Sequence, residues 1–227
     1  MPHQGGRQKR RQLAASRPSD EALGRFLPTV LRDHILDAPG EAEHRAVAVA
    51  FVQFSGTDAL AEAEGSRAVA DALDQCVRSV QSAAAEHGVT FLETDIDRDG
   101  GKILLVAGAP RSAGRDEERM LRVARAVMDA AGGLTLRIGV NRGDVFTGEF
   151  GPPFRRTYSI KGDAVNLAAR VMAKAGHGEV LATTATLDRS RTRFEITPLP
   201  PFLVKGKSQP ISAVRVGPII GDRKSVV

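Results

Sequence analysis

The sequence predicts an α+β fold: a ferredoxin-like βαββαβ core sheet with helices packed on one face, extended by extra C-terminal strands. Apolar runs of strand length alternate with longer segments whose apolar residues recur at helical spacing, and this gives the order of elements. Two neighbouring strand-like runs enclose a turn between the first two long helices, so they predict a hairpin. No internal repeat is visible, and 227 residues suffice for one buried core with tails.

Two segments precede the predicted sheet. Residues 1–18 contain five basic and no acidic side chains, and in the rest of the chain 27 basic residues balance 27 acidic ones. The net charge of +5 therefore belongs to this tail, which we expect to be disordered and solvated. Nucleic acid is not an expected partner, because a basic run without a recognised binding module is weak support for one. Residues 19–43 predict a helical arm that Pro28 bends or breaks and that Pro39-Gly40 ends.

The first half of the sheet begins with a near-continuous apolar run, which is typical of a central strand. Gly56 and Thr57 follow in a turn, where a glycine lets backbone amides approach an anion. Cys76 lies on the apolar stripe of the next helix, so we expect a buried thiol rather than a nucleophile. The predicted elements of this half are a strand at 45–54, a helix at 66–87 and hairpin strands at 89–97 and 102–107.

Two turn signals organise the second half. Asn141-Arg142-Gly143-Asp144 predicts a hairpin between two strands. Gly162-Asp163 predicts a tight turn from a strand into a helix, with Asp163 as the N-cap because its carboxylate can accept from free amides. Residues 218–227 resemble a linker. The other predicted elements are a helix at 115–131, strands at 134–140 and 145–150, a strand leading to Gly162, a helix that Gly176 ends, and short strands at 180–182, 193–196, 202–204 and 211–216.

One polar pair stands out on the helix that follows Gly162. Asn166 and Arg170 are four residues apart, so they project together from one face of this helix. Arg presents a planar fork of donors to phosphate oxygens, and Asn can hold a hydroxyl or ether oxygen in line. For the pair alone, a solvated Arg and an incidental Asn are the commoner explanation. The neighbouring motifs, however, favour a functional role for the pair.

These motifs occur in a fixed order along the second half of the chain. They are RIGVNRG at 137–143, the glycines Gly148 and Gly151, YSIKGDAVNLAAR at 158–170 and VKGK at 204–207. Together they resemble the catalytic domain of class III nucleotidyl cyclases, the adenylate and guanylate cyclase family. The cyclase-like domain is expected to cover residues 44–217.

The resemblance implies a reaction in which the 3′-hydroxyl of ATP or GTP attacks the α-phosphate of the same nucleotide and pyrophosphate leaves. It implies that Asn166 orients the ribose and that Arg170 stabilises the charge on the phosphate in the transition state. The Ser159 hydroxyl stands where the family reads the purine. A hydroxyl can donate or accept, so it does not decide the base, and ATP is only slightly preferred over GTP. The residues implied to bind nucleotide are Ser159, Gly56, Thr57 and Lys205, with Lys207 as the alternative to Lys205.

The metal half of the site is where this chain departs from the family pattern. Gln53 replaces an expected Asp, and a neutral amide cannot replace a carboxylate ligand of Mg²⁺ without a large loss of affinity. The second Asp of the pattern falls at Gly101, with Asp97 and Asp99 as nearby alternatives, so no metal ligand is assigned. The same acidic run opens like a calcium loop, but Val106 replaces Glu at the twelfth position and calcium is not expected. Mg²⁺ or Mn²⁺ is expected as a cofactor only if the chain is active.

Two functions are compatible with this pattern. In the first, the chain is inactive or slow as a homodimer and active in a heterodimer with a cyclase domain that brings both metal carboxylates. In the second, it is a catalytically dead domain that binds nucleotide or a partner within a larger signalling protein. A ferredoxin-like RNA-binding module shares the topology, but the sequence lacks its base-stacking aromatic pairs. A single cysteine, no apolar run of about 20 residues and no secretory signal predict a cytoplasmic protein without a membrane partner.

Overall fold

The computed structural model describes residues 19–37, 41–130, 132–152 and 154–222. The predicted basic tail, the Pro39-Gly40 stop and residues 223–227 lie outside these ranges. The helices are α1 (Asp20–Gly24), α2 (Thr29–Leu36), α3 (Thr57–Glu64), α4 (Ser66–Glu86), α5 (Asp116–Asp129), α6 (Asp163–Lys174) and α7 (Thr184–Leu187). The strands are β1 (Glu43–Ser55), β2 (Thr90–Asp97), β3 (Gly100–Ala107), β4 (Thr135–Phe150), β5 (Thr157–Lys161), β6 (Val180–Thr183), β7 (Thr192–Pro198) and β8 (Ala213–Asp222). None of these helices is long and apolar enough to cross a membrane.

The strands form one mixed sheet. Its order is β2-β3-β1-β4-β6-β8-β7, with β5 paired to β4. β1 lies antiparallel between β3 and β4, and β2 forms the predicted hairpin with β3. These four strands, with α4 and α5 as the crossover helices, confirm the ferredoxin-like βαββαβ core. The extra C-terminal strands that the sequence predicts are present, and they extend the sheet on the β4 side.

Helices cover both faces of the sheet, so the prediction of one covered face is wrong. α4 and α5 pack on the first face, where their apolar stripes meet Val52, Leu105 and Ile138. α6 packs on the opposite face, where Ala164 and Ala168 meet Val49 and its neighbours on β1 and β3. The βαββαβ order constrains only the two crossover helices, whereas α6 belongs to the later β5–α6–β6 connection. Because β1 is covered on both sides, its sequence is apolar without interruption from Ala46 to Val52.

β4 is one continuous strand of 16 residues and not the predicted hairpin. It pairs with β1 along the whole length of that strand. The turn predicted at Asn141–Asp144 does not form, because Asn141 is buried and its side-chain amide donates to the Ala164 carbonyl at 2.9 Å. Gly143 lacks the positive φ that a two-residue hairpin turn requires.

The remaining differences between prediction and structure concern the ends of elements and the short elements. The arm forms two helices, because α2 begins directly after Pro28, as the predicted break allows. The short helices α3 and α7 were not predicted. The strand predicted at 202–204 is a single bridge between Phe202 and Ile211. β8 continues through residues 218–222 of the segment expected to be a linker, and these residues pair with β7.

Cys76 is buried in the core under α4, as predicted. Burial raises the pKa of its thiol, because the apolar surroundings disfavour the thiolate. A neutral, inaccessible thiol is a poor nucleophile, so Cys76 contributes packing rather than chemistry.

Candidate functional site

α6 carries the two residues predicted to be catalytic on the side turned away from the sheet. Its inner side is apolar, and Ala168 and Val171 are fully buried. Asn166 is exposed, and Arg170, one turn later, is partly buried. The helix therefore presents an amide and a guanidinium on one accessible face.

Two glycines of β4 set how closely α6 approaches the sheet. A Cβ at Gly139 would lie 2.1 Å from the backbone nitrogen of Met172, and one at Gly143 would lie 2.8 Å from the Cβ of Ala164. Both glycines lie on the α6 side of β4, because residues four apart on a strand share a face. The glycines of the RIGVNRG motif thus allow α6 to pack closely on β4, and this packing fixes the position of the outer face of the helix.

The loop at 204–207 lies against that outer face. Val204 is buried and anchors the loop, and its carbonyl accepts a hydrogen bond from the Lys207 amide at 3.1 Å. A Cβ at Gly206 would lie 3.7 Å from a terminal nitrogen of Arg170. The fold therefore brings the guanidinium and the VKGK turn together, although 36 positions of sequence separate Arg170 from Gly206.

The two lysines of this loop differ in their surroundings. Lys207 pairs with the carboxylate of Asp163, whereas Lys205 is exposed. Asp163 is the first residue of α6, and Gly162 is its N-cap without a side-chain capping bond, so the predicted capping role of Asp163 is wrong. The carboxylate still favours the helix, since a negative group in the first turn complements the helix dipole.

Ser159 lies in the middle of β5, opposite Gly148 of β4, and is partly buried. Its neighbours Tyr158 and Ile160 are buried on the other side of the strand. Burial raises the pKa of the Tyr158 hydroxyl, which shares a hydrogen bond with Thr147. The strand thus places the Ser159 hydroxyl shortly before α6 while its neighbours hold β5 to the core.

The carboxyl end of β1 is where the metal half was expected. Gln53 lies in a cross-strand row between Lys102 of β3 and Arg137 of β4, and Asp95 of β2 stands opposite Lys102. Gln53 Oε1 accepts a hydrogen bond from Arg137 Nε at 2.8 Å. Cross-strand neighbours share one face of a sheet, so a cation flanks Gln53 on each side. Neither cation has a predicted role in the site, because spacing along one strand does not show which side chains the adjacent strands place beside it.

The two acidic alternatives of the hairpin are engaged in other contacts. Asp97 accepts from the next backbone amide at 2.8 Å and pairs with Lys102 Nζ at 3.3 Å, and these contacts, the amide first, lower the pKa of its carboxyl. The Asp99 carboxylate accepts from the amides of Gly56 at 3.2 Å and Asp58 at 2.9 Å, where α3 begins. Asp99 therefore caps α3 and uses the Gly56 amide that the sequence assigned to a nucleotide.

Gly101 stands where the second metal carboxylate of the family pattern falls. A Cβ there would lie 2.5 Å from the carbonyl oxygen of Asp95 and 2.6 Å from Cζ of Phe54. A longer side chain does not fit while β1 and β2 keep their positions. In the part of the chain that the structure covers, no three His, Cys, Asp or Glu side chains are grouped to hold a metal ion. Gln53 and Gly101 therefore offer no carboxylate to a divalent cation at this end of β1.

The predicted site residues thus form two groups. One is on α6 and the 204–207 loop, and the other is at the carboxyl end of β1, where Thr57 is the first residue of α3. Among the described residues, no hydrogen bond or ion pair joins the two groups.

Comparisons with known proteins agree with this architecture. The family model for the adenylate and guanylate cyclase catalytic domain matches residues 40–214. The adenylyl cyclase CyaB from P. aeruginosa has a TM-score of 0.68 at 23% identity, covering 83% of this chain and 100% of that chain. The guanylate cyclase domain of RhGC from Catenaria anguillulae, solved in complex with GTP, has a TM-score of 0.65 at 20% identity, covering 80% of this chain and 100% of that chain. At these identities the structures show a shared fold.

The curated relatives are longer than this chain. An uncharacterized protein of Mycobacterium tuberculosis (strain ATCC 25618 / H37Rv) is 29% identical over 151 residues, which are 64% of this chain and 28% of the relative. An uncharacterized protein of Mycobacterium bovis is 30% identical over 151 residues, which are 64% of this chain and 26% of the relative. The matched region is therefore a minor part of each relative.

Proposed function

Because the chain belongs to the adenylate and guanylate cyclase catalytic domain family, we propose that it supplies the transition-state half of a nucleotide cyclase site. The observation that carries the proposal is the Arg170 guanidinium beside the Gly206 turn, with Asn166 on the same face of α6. An amide, a guanidinium and the exposed Lys205 ammonium on one surface suit a triphosphate whose charge shifts during the reaction.

The reaction is an intramolecular phosphoryl transfer. The 3′-oxygen of ATP or GTP bonds to the α-phosphorus, the bond from that phosphorus to the bridging oxygen breaks, and pyrophosphate leaves with the electron pair while the hydroxyl proton is released. Asn166 holds the ribose, and Arg170 donates to the phosphate oxygens as negative charge grows on them. Lys205 holds the triphosphate as a point charge, and Ser159 contacts the purine, with ATP preferred.

The metal half would come from a second domain. Gln53 is neutral, Gly101 leaves no room for a carboxylate, and Asp99 is engaged with the amides of α3. Mg²⁺ or Mn²⁺ neutralises the triphosphate in this chemistry, and the ligands that hold it would be carboxylates of the partner. A homodimer of this chain would then be inactive or very slow, and a heterodimer with a metal-bearing cyclase domain would be active.

Reconstitution with a complementary domain tests this proposal. The partner would be a cyclase domain that keeps both metal carboxylates but has its own Asn and Arg replaced by Ala, so that it makes no product alone. With Mn²⁺ and ATP or GTP, we expect cyclic nucleotide only from the mixture. Arg170→Ala should lower the rate of the mixture by about 100-fold or more, the typical effect of removing one preorganised transition-state donor.

The alternative is a non-catalytic, nucleotide-binding domain. It is favoured by the neutral Gln53 and by the relatives, of which this chain spans less than a third. If the mixture forms a stable complex and still makes neither cyclic AMP nor cyclic GMP with Mn²⁺ or Mg²⁺, the catalytic proposal is wrong. Nucleotide binding without turnover would then support a regulatory role in a larger protein.

A further inference from the structure

The carboxyl end of β1 carries fixed positive charge at the place where the family pattern has carboxylates. Lys102 and Arg137 flank Gln53 in one row on one face of the sheet. The Lys102 side chain is 33% exposed, so its stem lies on the sheet while its ammonium reaches solvent. We propose that this end of β1 is a metal-independent polyphosphate site, in which the Lys102 ammonium supplies the positive charge that a divalent cation would otherwise supply.

The proposal rests on the proposed function in one respect, because both take a nucleoside triphosphate as the ligand of this chain. It goes further by assigning a polyphosphate ligand and the Lys102 ammonium to the carboxyl end of β1, which the catalytic proposal leaves without a metal. Its test therefore uses binding by the chain alone and needs no product formation.

The positive charges of Lys102 and Arg137 beside Gln53 favour an anion over a divalent cation as the ligand. A divalent cation there would meet an ammonium and a guanidinium, and both would repel it. A polyphosphate would meet the same two groups with attraction. The bond to Gln53 engages only Nε of Arg137, and a guanidinium carries four further N–H donors for phosphate oxygens.

The nearby carboxylates determine which donors a phosphate can use. Asp99 occupies the amides of Gly56 and Asp58, so the start of α3 is closed to a second anion. Two exposed carboxylates compete for Lys102: Asp97 pairs with its ammonium and has a side chain 56% exposed, and Asp95 stands opposite Lys102 on β2. Exposed ion pairs of this kind are weak, so a ligand with several negative charges displaces Asp97 from Lys102.

The probe is inorganic tripolyphosphate, which carries the charge of the nucleotide without its base or ribose. Isothermal titration calorimetry on the full chain in EDTA should show binding, and replacing EDTA by excess Mg²⁺ should weaken it, because Mg²⁺ and Lys102 neutralise the same charge. Tighter binding with Mg²⁺ would overturn the proposal.

Matched variants assign the binding to Lys102. Lys102→Gln should weaken binding about tenfold, as expected for the loss of a charge-assisted contact. Lys102→Arg should keep most of the affinity, and Asp97→Asn should increase it by freeing the ammonium. Arg67→Gln removes one charge from the exposed face of α4 and should have less than about a twofold effect, since this charge is already paired with Asp71 and is screened by solvent.

The outcomes separate this proposal from the catalytic one. Equal effects of Lys102→Gln and Arg67→Gln, in proteins whose thermal unfolding is unchanged, would overturn the polyphosphate site. Binding that is lost with Lys205→Gln and kept with Lys102→Gln would also overturn it, because the anion would then lie on the α6 surface. The reconstitution assay would stand in either case, since it depends on Arg170 and on the metal of the partner.

Discussion

Lys205 and Lys207 are two residues apart on one loop, yet among the described residues only Lys207 has an ion-pair partner. Lys207 is paired with Asp163, whereas Lys205 is exposed beside the turn that contacts Arg170. In the reconstituted mixture, Lys205→Gln should raise KM for the nucleotide about tenfold, the usual effect of losing a hydrogen bond to a charged group. Lys207→Gln should raise KM less than about threefold, because exposed ion pairs contribute little. Initial rates over a range of nucleotide concentrations check both values.

Two controls make the comparison of the lysines specific. Lys205→Arg keeps the positive charge and should keep most of the affinity, and Asp163→Asn should leave KM nearly unchanged. If Lys207→Gln has the larger effect, the Asp163–Lys207 pair opens when nucleotide binds, and Lys207 is the phosphate ligand.

Gly101 is the residue that most directly excludes a metal carboxylate from the hairpin. Any side chain there must displace the backbone oxygen of Asp95, so Gly101→Ala should lower the free energy of unfolding by about 1–3 kcal/mol, as overpacking does. Gly176→Ala is the matched control, because its methyl would meet only the flexible Glu179 carboxylate at 3.1 Å. Urea unfolding followed by circular dichroism measures both variants.

Restoring the family carboxylates tests the same point through metal binding. The variant that combines Gln53→Asp with Gly101→Asp should be less stable than either single variant. It should not acquire Mn²⁺-dependent cyclase activity, since Lys102 and Arg137 would neutralise the carboxylate introduced at position 53. A stable double variant with Mn²⁺-dependent activity would show that the hairpin accommodates a metal site after all.

At the scale of elements, the contact between β4 and α6 determines where Asn166 and Arg170 stand. Gly143→Ala would place two methyl groups 2.8 Å apart at Ala164, so it should destabilise the protein by about 1–3 kcal/mol. Ala164→Gly should also destabilise, by about 1 kcal/mol, through its lower helix propensity. The double variant exchanges the methyl across the contact, and the two effects should compensate by about 1 kcal/mol or more in a double-mutant cycle.

Gly139 provides the contrast for this cycle. An added methyl there meets backbone atoms of Met172, which no side-chain exchange can remove, so Gly139→Ala should be the most harmful of these substitutions. Strictly additive effects of the Gly143 and Ala164 changes would mean that α6 moves away from β4, and that the contact does not fix its position.

The elements that the sequence predicted well are those whose signal is local. The helices α4 and α5 each bury one apolar stripe in one core, and the continuous apolar runs of β1 and β3 are buried on both faces of the sheet. The turn predicted within β4 failed because RIGVNRG has the composition of a hairpin, while its glycines serve contacts with a helix that comes 20 residues later. The short α3 lies between Gly56 and Gly65 and has too few turns to show a helical period.

The same distinction applies to the candidate site. Asn166 and Arg170 could be placed on one face of a helix from their spacing alone. The approach of Gly206 to Arg170 depends on how β6, β7 and β8 return the chain to α6, which no local pattern encodes. The Lys102–Gln53–Arg137 row depends on the register of three strands, and a shift of one residue would place Gln53 on the other face.

At the scale of the whole molecule, we propose that the α6 residues and the carboxyl end of β1 of one chain belong to different sites, so that a complete site needs two domains. In the head-to-tail arrangement that the resemblance to class III cyclases implies, two domains form two sites, each with the α6 surface of one domain and the β1 end of the other. A homodimer of this chain would have two sites without a metal half. A heterodimer with a metal-bearing domain would have one complete site, in which this chain supplies α6.

This asymmetry predicts one active site in each heterodimer. At constant total protein, product formation should be greatest at equal amounts of the two domains and should fall on both sides, because excess chain of either kind forms inactive pairs. Restoring the partner's own Asn and Arg should change the rate of a purified heterodimer by less than about twofold, since those residues would face the β1 end of this chain, and distant independent sites behave additively. The amplitude of the pre-steady-state burst of product, measured with limiting enzyme, gives the number of active sites per heterodimer. Two equivalents of product per heterodimer, or a doubled rate on restoring the partner residues, would mean that the β1 end of this chain also supports turnover.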